Sequence, residues 1–282
     1  MQSKELVSGA VHLFSLPDIY LKISEMVSDP NSSAADLGRY ISKDPSLTAK
    51  LLKIANSPFY GFPSKINTVS RAVTVIGGTG LRDLALAMST INTVSKVPMD
   101  GFDLRKYWRH SLFCAVTARL LAGKCNTIHS EPYFVAGLLH DIGKLVMMSK
   151  LPGQTMESIQ KCKMAGTKSS DIEKPIFGFD HTMVGGELLR LWNLPEDIIE
   201  AVEFHHDPFM ANKSPMSAAI IHIADVVTNA VVTPESIEKG GIDYDPYALE
   251  VTGLSIEVIA TIIDEAKDQF NISVDLFLSK AA

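Results

Sequence analysis

Apolar residues recur at three- and four-residue spacing along almost the whole chain and hardly ever alternate with polar ones. An amphipathic helix needs that rhythm, and a half-buried strand cannot use it. Asp44-Pro45 reads as an N-cap with proline at the first helical position, followed by Leu47, Leu51, Ile54 and Ala55 on one face. Thr79 is read as the cap of a helix carrying Leu81, Leu84, Ala85 and Met88. Asp103 is read as the cap of another, running through Trp108 and Leu112 to about Gly123. Ser130-Glu131-Pro132 opens a helix that the pattern carries to Met148. Further helices are expected at 181–193, 195–206, 215–232 and 254–270, with Leu194-Pro195-Glu196-Asp197 a clear start. Only Ser64–Val69 and Val73–Ile76 have strand character, and both are short. The fold class is therefore all-α.

The 282 residues, 46% of them hydrophobic and 21% charged, suffice for one large domain or two small ones with a sizeable core. Disorder is excluded for most of the chain. A net charge of −6 gives no global footprint for nucleic acid or an anionic membrane. Cys114, Cys125 and Cys162 have no CxxC spacing, which argues against a disulfide framework or zinc ribbon. The N-terminus carries Glu5 and His12 and no small-residue cleavage site. The most apolar run, Ala218 to Val227, is broken by His222 and Asp225 and is too short to span a bilayer. The expectation is a soluble cytoplasmic protein that binds neither nucleic acid nor membrane.

Lys96–Leu104 (KVPMDGFDL) is the best seam. It divides a helical subdomain at 1–100 from one at 101–282 that holds seven of the eight histidines. Gly240-Gly241 through Pro246 reads as a surface loop. Gly77-Gly78-Thr79-Gly80 lacks the Gly-Lys-Ser/Thr ending of a phosphate loop and reads as the turn into a helix.

The residues that can carry chemistry are His110, His140-Asp141, His181, His205-His206 and Asp225, on five expected helices. Imidazole with carboxylate suits a divalent ion such as Zn, Fe or Mn, and no nearby cysteine points to a thiolate site. Helical bundles build ligand sites this way, from inward side chains on facing helices. Asp225 is the strongest clue, because it sits in Ala-Ala-Ile-Ile-His-Ile-Ala-Asp-Val-Val, apolar nearly all round. An unpaired carboxylate there would cost several kcal/mol. A metal ion, His222 one turn back, or a lysine from another helix could meet it.

Taken alone, the others have plainer readings. His140 can pair with Asp141 near a helix end, and His205-His206 can complement the negative end of a helix dipole. His181 can be a satisfied capping residue, on a helix where Gly185 and Gly186 allow a neighbour close. His110 can be a core or rim histidine of an aromatic helix. Together they point to one site.

At this point the sequence resembles a family. His110, His140-Asp141 and Asp225 are similar to the His…His-Asp…Asp pattern of the HD superfamily of metal-dependent phosphohydrolases, and Gly137–Lys144 (GLLHDIGK) to its most specific string. His181-x-x-x-Gly185 and His205-His206 resemble the extra histidines of two-metal members such as the HD-GYP phosphodiesterases. In the N-terminal half, Leu16-Pro17, Asp29-Pro30, ISKDPSLTAKLL (41–52), NSPFYG (56–61) and INTVSRAV (66–73) resemble the HDOD domain, a helical bacterial signalling module related to HD-GYP. The resemblance covers about Leu16 to Asp225.

It implies an HD-type helical bundle with an N-terminal helical subdomain and C-terminal helices beyond. It implies two divalent transition-metal ions, Fe, Mn or Zn. His110, His140, Asp141 and Asp225 would hold one; His181, His205 and His206, with Asp141 bridging, would hold the second. Asp141 and Lys144 would serve catalysis, Lys144 at the scissile phosphate; its plainer role is an exposed lysine at a helix end. The chain departs from the pattern in three places. Asp207-Pro208-Phe209 stands where HD-GYP proteins carry Gly-Tyr-Pro, Asp207 replaces the usual glutamate, and Lys106 stands where relatives with more metals can carry a glutamate. Two functions follow from the resemblance: a signalling protein that hydrolyses a nucleotide or other phosphoester, or a non-catalytic HDOD scaffold working through protein contacts. A signalling protein partner is expected of either. Lys50, Lys53 and Asn56 are read as a solvated helix face rather than a partner surface.

Overall fold

The computed structural model describes residues 2–125, 127–232 and 244–278. Residues 240–243 of the expected loop lie outside them, and Pro246 already opens a helix. Every regular element among the described residues is helical, so the strand-like segments are not strands. The chain forms two compact units, one of Met1–Ser15 with Val97–Ala266 and one of Leu16–Lys96 with Lys267–Ala282. Helices are numbered in chain order, and α1 (Ser3–Ala10) belongs to the first unit.

The Leu16–Lys96 unit contains α2 (Asp18–Ser28), α3 (Ala34–Ile41), α4 (Pro45–Ala55), α5 (Val69–Ile76) and α6 (Gly78–Val94). The Asp44 carboxylate accepts the Leu47 N–H at 3.0 Å, and α4 buries the four expected residues, Leu47, Leu51, Ile54 and Ala55. The β-branched run 69–76 is helical because the Thr68 hydroxyl accepts the Arg71 N–H at 3.2 Å, turning Val69, Ala72 and Val73 inward. Thr79 is not a cap. The cap position falls two residues earlier, on Gly77 at φ +90°, a backbone that favours glycine. The Asn56 amide donates to the Leu52 and Ile66 carbonyls, both at 2.7 Å, and accepts the Ile66 N–H at 2.8 Å. It clasps the loop between α4 and α5.

The larger unit contains α7 (Leu104–Lys124), α8 (Glu131–Leu139), α9 (Ile142–Lys150), α10 (Pro152–Ala165), α11 (Ser169–Phe177), α12 (His181–Leu191), α13 (Glu196–Glu203), a 3₁₀ turn (Pro208–Met210), α14 (Pro215–Val232) and α15 (Pro246–Thr252). α16 (Ile256–Phe277) starts in it. Asp103 caps α7, accepting the Lys106 N–H at 2.8 Å. α7 packs on α8 and α14 and buries Trp108, Leu112, Phe113 and Val116.

The single helix expected from Ser130 to Met148 is two, α8 and α9, broken at His140-Asp141, where Asp141 has φ −99° and ψ 8°. Glycines flank the break. A Cβ on Gly137 would stand 2.8 Å from the Ala115 Cα, and one on Gly143 would stand 1.9 Å from the His181 carbonyl oxygen. α14 is 18 residues with mean hydropathy 1.5, long and apolar enough to cross a membrane, so the shortness seen in its apolar run does not extend to the whole helix. Here it is 61% buried, against α7, α8, α13 and α15, as core helices are.

Candidate metal centre

The larger unit gathers all seven expected residues. His110 comes from α7, His140 and Asp141 from the α8–α9 break, and Asp225 from α14. The Asp180 carboxylate caps α12, accepting the Met183 N–H at 3.0 Å and the Thr182 hydroxyl at 2.7 Å, which makes His181 the first residue of that helix. His205 and His206 lie in the turn after α13. The buried Glu200 carboxylate fixes the chain between that turn and α14, accepting the N–H groups of Asn212, Lys213 and Ser214 at 3.3, 2.9 and 2.7 Å.

Three sets of ligand atoms each lie within 4.8 Å of one another: His181, His205 and His206; His110, His140 and Asp225; His140, Asp141 and His205. Asp141 faces both sides. Its Oδ1 is 3.2 Å from His181 Nε2, while its Oδ2 is 3.5 Å from His140 Nε2 and 4.0 Å from His110 Nε2. The Nε2 atoms of His205 and His206 are buried with no hydrogen bond, and those of His140 and His181, with Asp141 Oδ1, are buried in ion-pair contacts that no aligned hydrogen bond completes. Three of those rings are held from behind. Nδ1 of His140 donates to the Gly137 carbonyl and that of His205 to the Val202 carbonyl, both at 2.8 Å; Nδ1 of His181 donates to Glu173 Oε2 at 2.6 Å. A buried polar atom left unpaired costs about 1–3 kcal/mol. Four imidazole nitrogens and a carboxylate oxygen left without an aligned hydrogen bond in one place fit a divalent cation.

The alternative partners for Asp225 resolve. His222 donates from Nδ1 to the His205 carbonyl at 2.8 Å, and its Nε2 accepts the Asp245 N–H at 3.2 Å, so its ring is used elsewhere. Asp225 Oδ1 instead meets His110 Nε2 at 3.2 Å, the Asn229 amide at 3.0 Å and His140 Nε2 at 3.5 Å. Lys144 is no exposed helix-end lysine: its Nζ lies 2.8 Å from Asp141 Oδ2. A cysteine does lie nearby, since Cys114, one turn beyond His110, is buried against His140, and burial pushes its thiol up.

Burial opposes ionisation of both aspartates but loses. Lys144, His140 and His181 hold Asp141 well below the usual carboxylate range, and His110 and His140 do the same for Asp225. Burial lowers His181, yet Glu173 overrides it and lifts the ring to about 9. Burial wins at His205, pushed down to about 3, and at His206, also well below the ordinary value. Sequence reasoning missed Glu173, Glu200, Cys114 and Asn229. Asn229 alone carried a readable signal, one helical turn beyond Asp225.

A model of the HDOD domain matches residues 13–208. An uncharacterized protein of Treponema pallidum (strain Nichols) is 25% identical over 193 residues; the match covers 68% of this chain but only 37% of that protein. An HDOD domain protein of unknown function from Geobacter sulfurreducens has a TM-score of 0.71 at 24% identity, over 98% of both chains. A Shewanella amazonensis SB2B protein named, by inference, a phosphohydrolase has a TM-score of 0.68 at 22% identity, over 95% of this chain and 97% of its own. These two share the fold.

Proposed function

The chain belongs to the HDOD domain family, and on that footing we propose that it is a signalling protein that binds two divalent transition-metal ions and hydrolyses a nucleotide or other phosphoester. His110, His140 and Asp225 would hold one ion, His181, His205 and His206 the other, with Asp141 between them. One observation carries this reading: the buried rings of His140, His181 and His205 converge on Asp141, and no hydrogen bond satisfies their Nε2 atoms. Bound there, divalent ions would supply Lewis acidity toward a phosphoryl oxygen and an activated water. The chain's own groups are arranged for that chemistry. Burial keeps His205 and His206 neutral near pH 7, with their lone pairs available. Lys144 keeps Asp141 ionised and brings an ammonium to the edge of the site, where a phosphoryl oxygen would meet it. The missing Gly-Tyr-Pro argues against cyclic-di-GMP as substrate, and Lys106 against a third ion. The same reading places the protein in the cytoplasm with a signalling partner, apart from nucleic acid and membrane.

A second reading, a scaffold without turnover, takes support from Lys144. Its ammonium already neutralises the carboxylate that would bridge the ions. Elemental mass spectrometry of untagged protein, purified without chelator beside Asp141→Ala, tests the site. About two transition-metal equivalents, both lost in Asp141→Ala, are expected. An empty wild type that also fails to take up Mn, Fe or Zn overturns the enzyme reading. Full loading with no turnover across a phosphoester panel selects the scaffold.

A further inference from the structure

We infer that Glu173 is a positioning residue for His181, fixing which ring nitrogen that histidine offers to a cation; the inference rests on the metal reading above. Glu173 lies in α11 and is 2% exposed. Its Oε2 accepts two hydrogen bonds from one residue, the His181 backbone N–H at 2.8 Å and the ring Nδ1–H at 2.6 Å. The ring cannot turn over without breaking the second. His140 and His205 are oriented by carbonyls one turn back in their own chain segments, so local backbone geometry alone sets them. His181 is different, because its orientation depends on a side chain from another helix.

The resulting chain alternates in character: Glu173 to His181, His181 Nε2 to Asp141 Oδ1 at 3.2 Å, and Asp141 Oδ2 to Lys144 at 2.8 Å. A carboxylate behind an imidazole raises the basicity of the opposite nitrogen and locks its tautomer, and losing such a partner typically weakens metal binding about 10–100-fold. Glu173 thus acts on the ion held by His181, His205 and His206, and leaves the other to His110, His140 and Asp225.

Equilibrium dialysis of the metal-free full-length chain against Mn(II), read by elemental mass spectrometry, tests this. In Glu173→Ala one ion should bind as in wild type and the other about 10–100-fold more weakly. Glu173→Gln, whose amide oxygen can accept the same two N–H groups, should lose only about 3–10-fold at that one ion. Arg190→Ala removes the ion pair that ties the far end of the same helix to Glu203, away from the ring, and should leave both affinities unchanged. Unchanged binding in Glu173→Ala overturns the inference, as does an equal loss in Arg190→Ala, which would make Glu173 a brace for α12. Where Glu173→Ala fails to fold, unchanged binding in Glu173→Gln overturns it. A wild type that takes up no Mn(II) overturns the site reading and this inference together.

Discussion

Around Asp225 the cluster is a closed set of ion pairs; around His205 and His206 it is open. Asp225 is shared by His110, His140 and Asn229 and held ionised. At His140, burial alone would lower the pKa, but the Asp141 and Asp225 carboxylates raise it above the ordinary histidine value. Neither His205 nor His206 has a partner at Nε2, burial prevails, and both shed their protons. The residue types are nearly the same in the two halves. What differs is the balance of charge: Asp141 and Asp225 prevail over burial at His140, while at His205 burial and the neighbouring His140 and His181 rings prevail over the same two carboxylates.

Urea unfolding of the metal-free protein is the strongest way to break this comparison. Asp225→Ala strands two histidines beside an empty position and should cost about 3–5 kcal/mol. His206→Ala removes a nitrogen that had no partner and should cost no more than about 1 kcal/mol. Equal losses would mean that the halves are built alike.

The next effect lies in pH. The folded pKa of His205 is about 3, so below the unfolded value near 6.5 the unfolded chain takes up a proton that the folded one refuses. His206 is shifted the same way. Metal-free protein should therefore lose stability as pH falls from about 6.5 toward 3, by up to about 1.4 kcal/mol per pH unit for each histidine. His206→Gln should flatten that slope by one such share; an unchanged slope would place the titration elsewhere. His181 runs the opposite way. Its contribution is complete below about 6.5 and fades as pH rises through about 9.

The smallest effect sharpens the closed half. Cys114 is a buried neutral thiol beside His140, so Cys114→Ala should cost about 1 kcal/mol and leave metal content unchanged. Loss of an ion in that variant would make the thiol a ligand.

How much of this was legible in the sequence depended on how local the cause was. Asp44 and Asp103 announce their helices because a cap acts within one turn. His140, Asp141 and Asp225 lie in or beside the two most apolar helices, α8 and α14, which sets them apart before any geometry is known. The break at His140-Asp141 was hidden because apolar spacing runs straight across it from Leu138 and Leu139 to Leu145 and Val146. Thr79 lost the helix start to Gly77, whose positive φ is a backbone property that a better-looking cap residue conceals. Glu173 had no signal at all. It sits between the exposed Asp171 and Lys174 in a polar stretch, and only tertiary packing turns it inward.

Backbone meets backbone at Gly143, where the His181 oxygen occupies the space a methyl group would need. The close approach of α9 to α12 there is main chain to main chain. The cluster is a frame with tenants. A substitution within the cluster leaves that backbone contact in place, so the family's fold and its cluster residues can part company. The reverse also holds: one added methyl at Gly143 would carry His181 away from Asp141 and part the cluster with every side chain still present.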